Sequence, residues 1–408
     1  MSSLCILGRQ PAIGLAELES LYGADHVQPC GELAALVDGD VDFDRLGGSV
    51  KVAKHLTTLD TVDPRRVLAY CRQTLPDHLG YIPEGKIKLG ISLYGLSMPL
   101  RDLNTEVLKL KSVIKRAGRS ARAIPNTEMA LSSAQSYHNG VTSPVGLELV
   151  CVRDSARTHL GQVTHVQDID SYTLRDRGRP KRDSFVGMLP PKLAQIIVNL
   201  ASGRRQVEDG KERPANSYVV LDPFCGTGVI LQEAALMGYD VYGTDLSEKM
   251  IEYSRANLEW LEKKYEIENR KYGLAHADAT SCVWDFLRST VYGLRSDSVA
   301  IATESFLGRP IAGQHVSDEQ IREIAHECNA IMRGFLRNIA PQIPAGTRLC
   351  IAAPSWYIDG QAYHLPVIDE LATLGYDRVV FTHTTSDQLV YRRDDQPVGR
   401  ELVVLTRK

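Results

Sequence analysis

Tyr218-Val219-Val220-Leu221-Asp222-Pro223-Phe224-Cys225-Gly226-Thr227-Gly228 reads as a buried strand running into a tight turn, and residues 228–237 read as the helix after it. Glycines in such a turn let the backbone approach a ligand, and the helix N-terminus points amides at it. Taken alone, Gly226 and Gly228 are equally compatible with a plain strand-to-helix turn. The context favours a ligand. Val241-Tyr242-Gly243-Thr244-Asp245 ends the next strand, and an acidic residue about 20 positions after the turn suits the ribose hydroxyls of an adenosine-bearing cofactor. His276-Ala277-Asp278-Ala279 ends a third strand, where the Asp278 carboxylate can accept from an adenine amino group.

Outward from this turn, strands are expected at 217–222, 240–245, 274–279, 299–304 and 346–354, and helices at 228–237, 247–263, 317–340 and 363–374. Ser317 with Gln320 forms a capping box for the third helix. Alternation of this kind gives a parallel, doubly wound sheet. The segments 378–385 and 401–406 have no helix between them and are expected to close the sheet as an antiparallel hairpin. A nicotinamide-dependent enzyme shares the turn and the acidic residue, but the turn lacks the third glycine of G-x-G-x-x-G.

The chain has 408 residues, which calls for two or three domains. Its net charge of −3 excludes a generic polyanion binder without excluding a local basic face. The eight cysteines are scattered, so they read as reduced thiols of a cytoplasmic protein, with no metal. No signal-peptide layout or bilayer-spanning run is visible, so no membrane partner is expected. Ser3 to Gly8 reads as a strand, Ala16 to Leu21 as helical, and Ile87 to Leu93 and Val145 to Val152 as strands. Asn104 to Lys115 is an amphipathic helix with a basic exposed side. Asp170 to Arg182 is polar and reads as a linker or functional loop. Pro190-Pro191 opens a helix that ends near Gly203.

These residues resemble the THUMP-domain tRNA guanosine-N2 methyltransferases, in the branch that modifies guanosine 10. The resemblance rests on D-P-F-C-G-T-G, Gly243-Thr244-Asp245 and Gly187-Met188-Leu189-Pro190-Pro191-Lys192-Leu193-Ala194. It extends to Leu7-Gly8-Arg9-Gln10-Pro11, Gly90 to Gly95, Leu131-Ser132-Ser133-Ala134, Tyr172 to Arg182, Val390 to Arg393 and Gly399-Arg400-Glu401. It implies an α/β chain with an N-terminal α/β cap over 1–50, a THUMP-like RNA-binding domain over 51–165 and a linker over 166–185. A Rossmann-like S-adenosylmethionine methyltransferase domain comes next, over 186–408, with a seven-stranded sheet closed by an antiparallel hairpin. Asp222, Pro223, Phe224, Gly226, Gly228, Asp245 and Asp278 are then the expected cofactor residues, and tRNA the expected partner. Some members work with a small activating protein; the sequence leaves that, and the oligomeric state, open.

Enzymes of this type carry D/N-P-P-Y/F after the fourth strand. The matching segment here is Ile301-Ala302-Thr303-Glu304-Ser305-Phe306-Leu307-Gly308, without the prolines and with Glu304 in the acidic place. Glu304 is expected to accept from the guanine amine and Phe306 to stack on the base. Lys109, Lys111, Lys115, Arg116, Arg119 and Arg122 form one basic cluster, and Arg175, Arg177 and Arg182 a second. Both are expected to face RNA phosphates. Three alternatives stay open: a methyltransferase for ribosomal RNA guanine or DNA adenine, a catalytically silent tRNA-binding protein, and a nicotinamide-dependent enzyme.

Overall fold

Near-continuous apolar runs such as Val299-Ala300-Ile301-Ala302 suit strands covered on both faces, and they become the centre of the C-terminal sheet. The computed structural model describes residues 2–183, 188–204, 207–208, 211–212, 215–267, 271–288, 298–309, 317–358, 361–393 and 398–408. They fall into two compact units: 1–18, 24–44 and 48–172, and then 19–23, 45–47 and 173–408.

The first unit is one eight-stranded sheet in the order β2-β3-β1-β4-β8-β7-β5-β6. Its strands are β1 Ser2–Leu7, β2 Val27–Cys30, β3 Ala34–Asp38, β4 Ser49–Leu59, β5 Ile87–Tyr94, β6 Ala121–Ala123, β7 Gly146–Asp154 and β8 Arg157–Val166. The helices are α1 Pro11–Tyr22, α2 Pro64–His78, α3 Leu100–Arg116 and α4 Ser133–Asn139. α3 has the expected amphipathic pattern, burying Leu103, Val107, Leu110 and Ile114 in a core with α2 and β5. The division expected at residue 50 is not present as a sheet boundary: β1 pairs directly with β4, so residues on both sides of position 50 share one sheet.

This sheet encloses a buried ion pair. Lys51 Nζ donates to Glu148 Oε1 at 2.5 Å and to the Leu131 carbonyl at 2.8 Å. Ser92 and Ser136 hydroxyls donate to the same carboxylate at 2.6 and 2.7 Å. The two charged side chains are 1% and 0% exposed, so the pair is sustained by these donors and not by water.

Besides residues 19–23 and 45–47, the second unit takes up the chain from Thr173, within α5 Ile169–Arg177, and continues through α6 Pro191–Ser202. The polar stretch expected to be a linker is therefore helical up to Arg177. Ser184 to Gly187, where that linker should end and the next domain begin, lie outside the described residues. A short pair, β9 Val207–Glu208 and β10 Lys211–Glu212, precedes the main sheet. That sheet uses β11 Val219–Asp222, β12 Asp240–Asp245, β13 Tyr272–His276, β14 Val299–Glu304, β15 Arg348–Ile358, β17 Tyr376–Arg378 and β19 Gly399–Arg407. Two short strands, β16 Gln361–Tyr363 and β18 Val390–Tyr391, pair with β15 and β19.

The main path runs β13-β12-β11-β14-β15-β19-β17. The first five strands are parallel and the last two antiparallel, which is a Rossmann-like sheet with an antiparallel closure. Helices α7 Val229–Leu236, α8 Glu248–Tyr265, α9 Asp285–Arg288 and α10 Asp318–Ile339 connect these strands. α10 carries the Ser317–Gln320 capping box and buries Ile321, Ala325, Cys328, Met332, Phe335 and Ile339 against Leu221, Ile301 and Ile351.

Two expectations need correcting. Residues 366–374 form a 3₁₀ helix, not an α-helix. The strand expected at 378–385 stops at Arg378, because the Thr382 and His383 amides donate to the Glu19 carboxylate instead of to a neighbouring strand. Among the described residues no helix is long and apolar enough to cross a membrane, and no His, Cys, Asp and Glu group is arranged to hold a metal. The cysteines are free thiols.

Lys51→Met leaves the Glu148 charge buried with only its serine donors. Breaking a buried pair costs about 3–5 kcal/mol, so the urea midpoint of this variant is expected to fall well below that of wild type. An unchanged midpoint would show that the pair does not stabilise the first unit.

Candidate functional site

Each of the four neighbouring parallel strands β13, β12, β11 and β14 ends at or just before a carboxylate, and each carboxylate is treated differently. Asp222 ends β11 and is 2% exposed. Its Oδ1 accepts from Thr303 Oγ1 at 2.6 Å and from the Phe224 amide at 3.2 Å. Burial pushes this carboxyl up from 3.8 to about 8; the two donors oppose the rise, and the negative Asp245 and Glu304 add to it.

Asp245 ends β12. Its Oδ2 accepts from the Gly226 amide at 2.9 Å and its Oδ1 from the Ser247 amide at 2.8 Å. Burial raises this carboxyl too, and the two amides pull it back. The Gly226 amide is thus engaged by Asp245. Leu246, beside it, is 69% exposed, an apolar surface on the rim. Asp278, two residues past β13, is exposed; its Oδ1 accepts from the Thr280 amide and hydroxyl at 2.8 and 2.7 Å.

The turn between β11 and α7 depends on its glycines. Gly226 and Gly228 have φ of 52° and 79°, a region side chains disfavour. A Cβ on Gly228 would stand 2.9 Å from Ser254 Oγ. From α8, Ser254 Oγ donates to the Gly226 carbonyl at 2.8 Å. Asn257 Nδ2 donates to the Thr227 and Lys181 carbonyls, both at 2.9 Å, and its Oδ1 accepts from the Lys181 amide at 2.9 Å.

A cleft of about 780 Å³ opens over these strand ends. Asp222, Pro223, Phe224, Gly226, Asp245 and Asp278 line it, as do Glu304 and Phe306. Gly228 does not; it shapes the turn from behind as the N-cap of α7. Phe306 is half-buried and packs partly on the core. Glu304 is 16% exposed, and its Oε1 accepts from Arg400 Nε at 2.5 Å. The arrangement offers an apolar slot, a charged acceptor beside an aromatic face, and further carboxylates to hold hydroxyls or amines. Arg400, Thr303, Leu246 and Asn257 were not singled out from sequence. For Arg400 the only signal was its place in Gly399-Arg400-Glu401.

The basic residues divide. Arg175 is buried, and its Nε donates to Glu233 Oε1 at 2.7 Å, so the expectation that it faces RNA is corrected. Arg119 donates to the carbonyls of Leu79, Ile82 and Pro83, which turns it into a brace for that loop. Lys109 pairs with Glu106 at 2.8 Å. Lys115, Arg116 and Arg122 are exposed, as are Arg177 and Arg182, and Lys111 is half-buried.

Residues 215–271 match the family model described as a methyltransferase domain. The chain is 31% identical over 188 residues to the tRNA (guanine(10)-N2)-dimethyltransferase of Methanothermobacter thermautotrophicus, covering 45% of this chain and 44% of that protein. It is 36% identical over 109 residues to the protein of the same name from Pyrococcus abyssi, covering 27% of each. The matched stretch thus spans less than half the length of these relatives. Among solved structures, TrmN from Thermus thermophilus matches at a TM-score of 0.50 with 17% identity over 100% of both chains, a likeness of fold.

Asp222→Asn keeps an acceptor for Thr303 and Phe224 while removing the ionisation. In wild type the unfolded chain loses the Asp222 proton near 3.8 and the folded chain only near 8. This contribution to stability is therefore full below the lower value and falls as pH rises towards the upper one. Urea midpoints of the variant are expected to fall less between about pH 4 and about pH 8 than those of wild type. Parallel profiles for the two proteins would refute the buried neutral carboxyl.

Proposed function

We propose that the chain is an S-adenosylmethionine-dependent methyltransferase acting on the N2 amine of a tRNA guanosine, with guanosine 10 as the target. The observation that carries this reading is the convergence of the glycine turn, Asp245, Asp278, Glu304 and Phe306 on one cleft. The methyltransferase model over 215–271 and the names of the curated relatives support it.

The residues present fit the cofactor. Backbone at Gly226 lines the cleft without a side chain in a turn that Gly228 shapes, and exposed Leu246 offers an apolar face for a planar base. Asp245 would hold ribose hydroxyls and Asp278 the adenine amine, while neutral Asp222 would donate rather than repel. When bound, S-adenosylmethionine would supply an electrophilic methyl on a sulfonium, the C–S bond breaking towards sulfur as the N–C bond forms, and the Glu304 carboxylate would take the N–H proton that the amine gives up.

An exocyclic amine is a weak nucleophile because its lone pair is delocalised into the ring. The protein must hold the flipped base flat and accept from its N–H bonds. Phe306 supplies the face and Glu304 the acceptor. We assign the first unit the THUMP-like task of gripping tRNA, with Lys111, Lys115, Arg116 and Arg122 as phosphate contacts. The altered Glu304-Ser305-Phe306-Leu307 segment favours one second reading, a tRNA-binding protein that has lost its chemistry.

Labelled S-adenosylmethionine and unmodified tRNA transcripts distinguish the two. Wild type is expected to yield N2-methylguanosine on nucleoside digestion, and Glu304→Gln to lose about a hundredfold in rate. Tight tRNA binding with no methylated product would reject the first reading in favour of the second.

A further inference from the structure

The carboxylate at the heart of this site is held from two strands away. Glu304 on β14 is in register with Ala352 on β15. Ala352 is in register with Leu402 on β19, and Pro354 with Arg400. Residues in register, or two apart along a strand, project from the same face of a sheet. Glu304, Ala352, Pro354 and Arg400 therefore share a face, and the Arg400 side chain must pass over β15 to reach Glu304. Ala352, wholly buried, has only a methyl to place in that path. The guanidinium is itself buried, at 5% exposure, and is absent from the cleft lining. It approaches Glu304 from behind.

Among the described residues, no other ion pair restrains the Glu304 carboxylate. The loop Ser305-Phe306-Leu307-Gly308 after it has no proline to stiffen it. The hydrogen bond from Arg400 engages Oε1, and Glu304 at the same time lines the cleft. Length matters on both sides, since an aspartate at 304 would stop one methylene short of the guanidinium.

We infer that Arg400 is the positioning residue of the reaction: it holds the Glu304 carboxylate through Oε1 so that Oε2 meets the N–H of the incoming amine. This rests on the reading of the cleft as a methyl-transfer site. Arg400 is absent from the cleft lining, and its role in the reaction runs through Glu304.

The test is a double-mutant cycle on the full chain, with kcat, KM for tRNA and the calorimetric Kd for S-adenosylmethionine measured in each protein. Arg400→Met is expected to lower kcat by about tenfold to a hundredfold, with both binding constants within about twofold of wild type. Arg400→Lys should regain part of kcat. In a Glu304→Gln background, Arg400→Met should add no further loss of kcat, because the carboxylate through which it acts on the reaction is already gone. Additive losses in the double variant, or an unchanged kcat in Arg400→Met, would overturn the inference. Should Arg400→Met fail to fold, Glu304→Asp decides: the shorter acid is expected to lose kcat to a similar degree, and wild-type kcat in that variant also overturns it. A wild type that binds cofactor and tRNA but transfers no methyl overturns both this inference and the function it rests on.

Discussion

β11 lies between β12 and β14, where the strand order reverses: the chain runs from β11 out to β13 on one side and comes back to β14 on the other. A crevice at that point is a result of topology alone. It is filled by a set of acids, Asp222, Asp245, Asp278 and Glu304, on adjacent strand ends. Four like charges so placed would repel one another and any anionic partner. Each escapes by a different physical route. Asp222 is desolvated and stays neutral near pH 7. Asp245 is tied to two amides. Asp278 stands in water. Glu304 has a buried arginine. One cleft can then offer a donor, acceptors for hydroxyls and a charged acceptor for an amine.

Much of this framework was legible in the sequence because it is local. The run Val299 to Ala302 is apolar whichever way it is turned, so the strand is legible from composition without any periodicity. The capping box at Ser317 and the turn at Gly226 and Gly228 declare themselves within a few residues. The carboxylates at 222, 245, 278 and 304 could be named because each lies at or close behind a strand end.

The features that stayed hidden are non-local. Arg400 is 96 residues from Glu304, and only the order in which β14, β15 and β19 pair brings them together. Charge alone misassigned Arg175, whose partner Glu233 lies inside a helix that reads as apolar. Arg119 likewise looked like part of a basic face until the carbonyls of the 79–83 loop were seen around it. An arginine has five donors, and a sequence does not say whether water, phosphate or backbone will take them.

Asn257 couples two pieces of backbone. Its amide group grips both the N–H and the C=O of Lys181 and also the Thr227 carbonyl, so the segment at 181 and the glycine turn are held by the same side chain. Their free energies are linked. Whatever tightens the turn by binding in the cleft tightens the segment at 181 by the same amount, and whatever docks on that segment strengthens the turn in return. Reciprocity of this kind needs no moving domain, only one buried amide that two stretches of chain have to share.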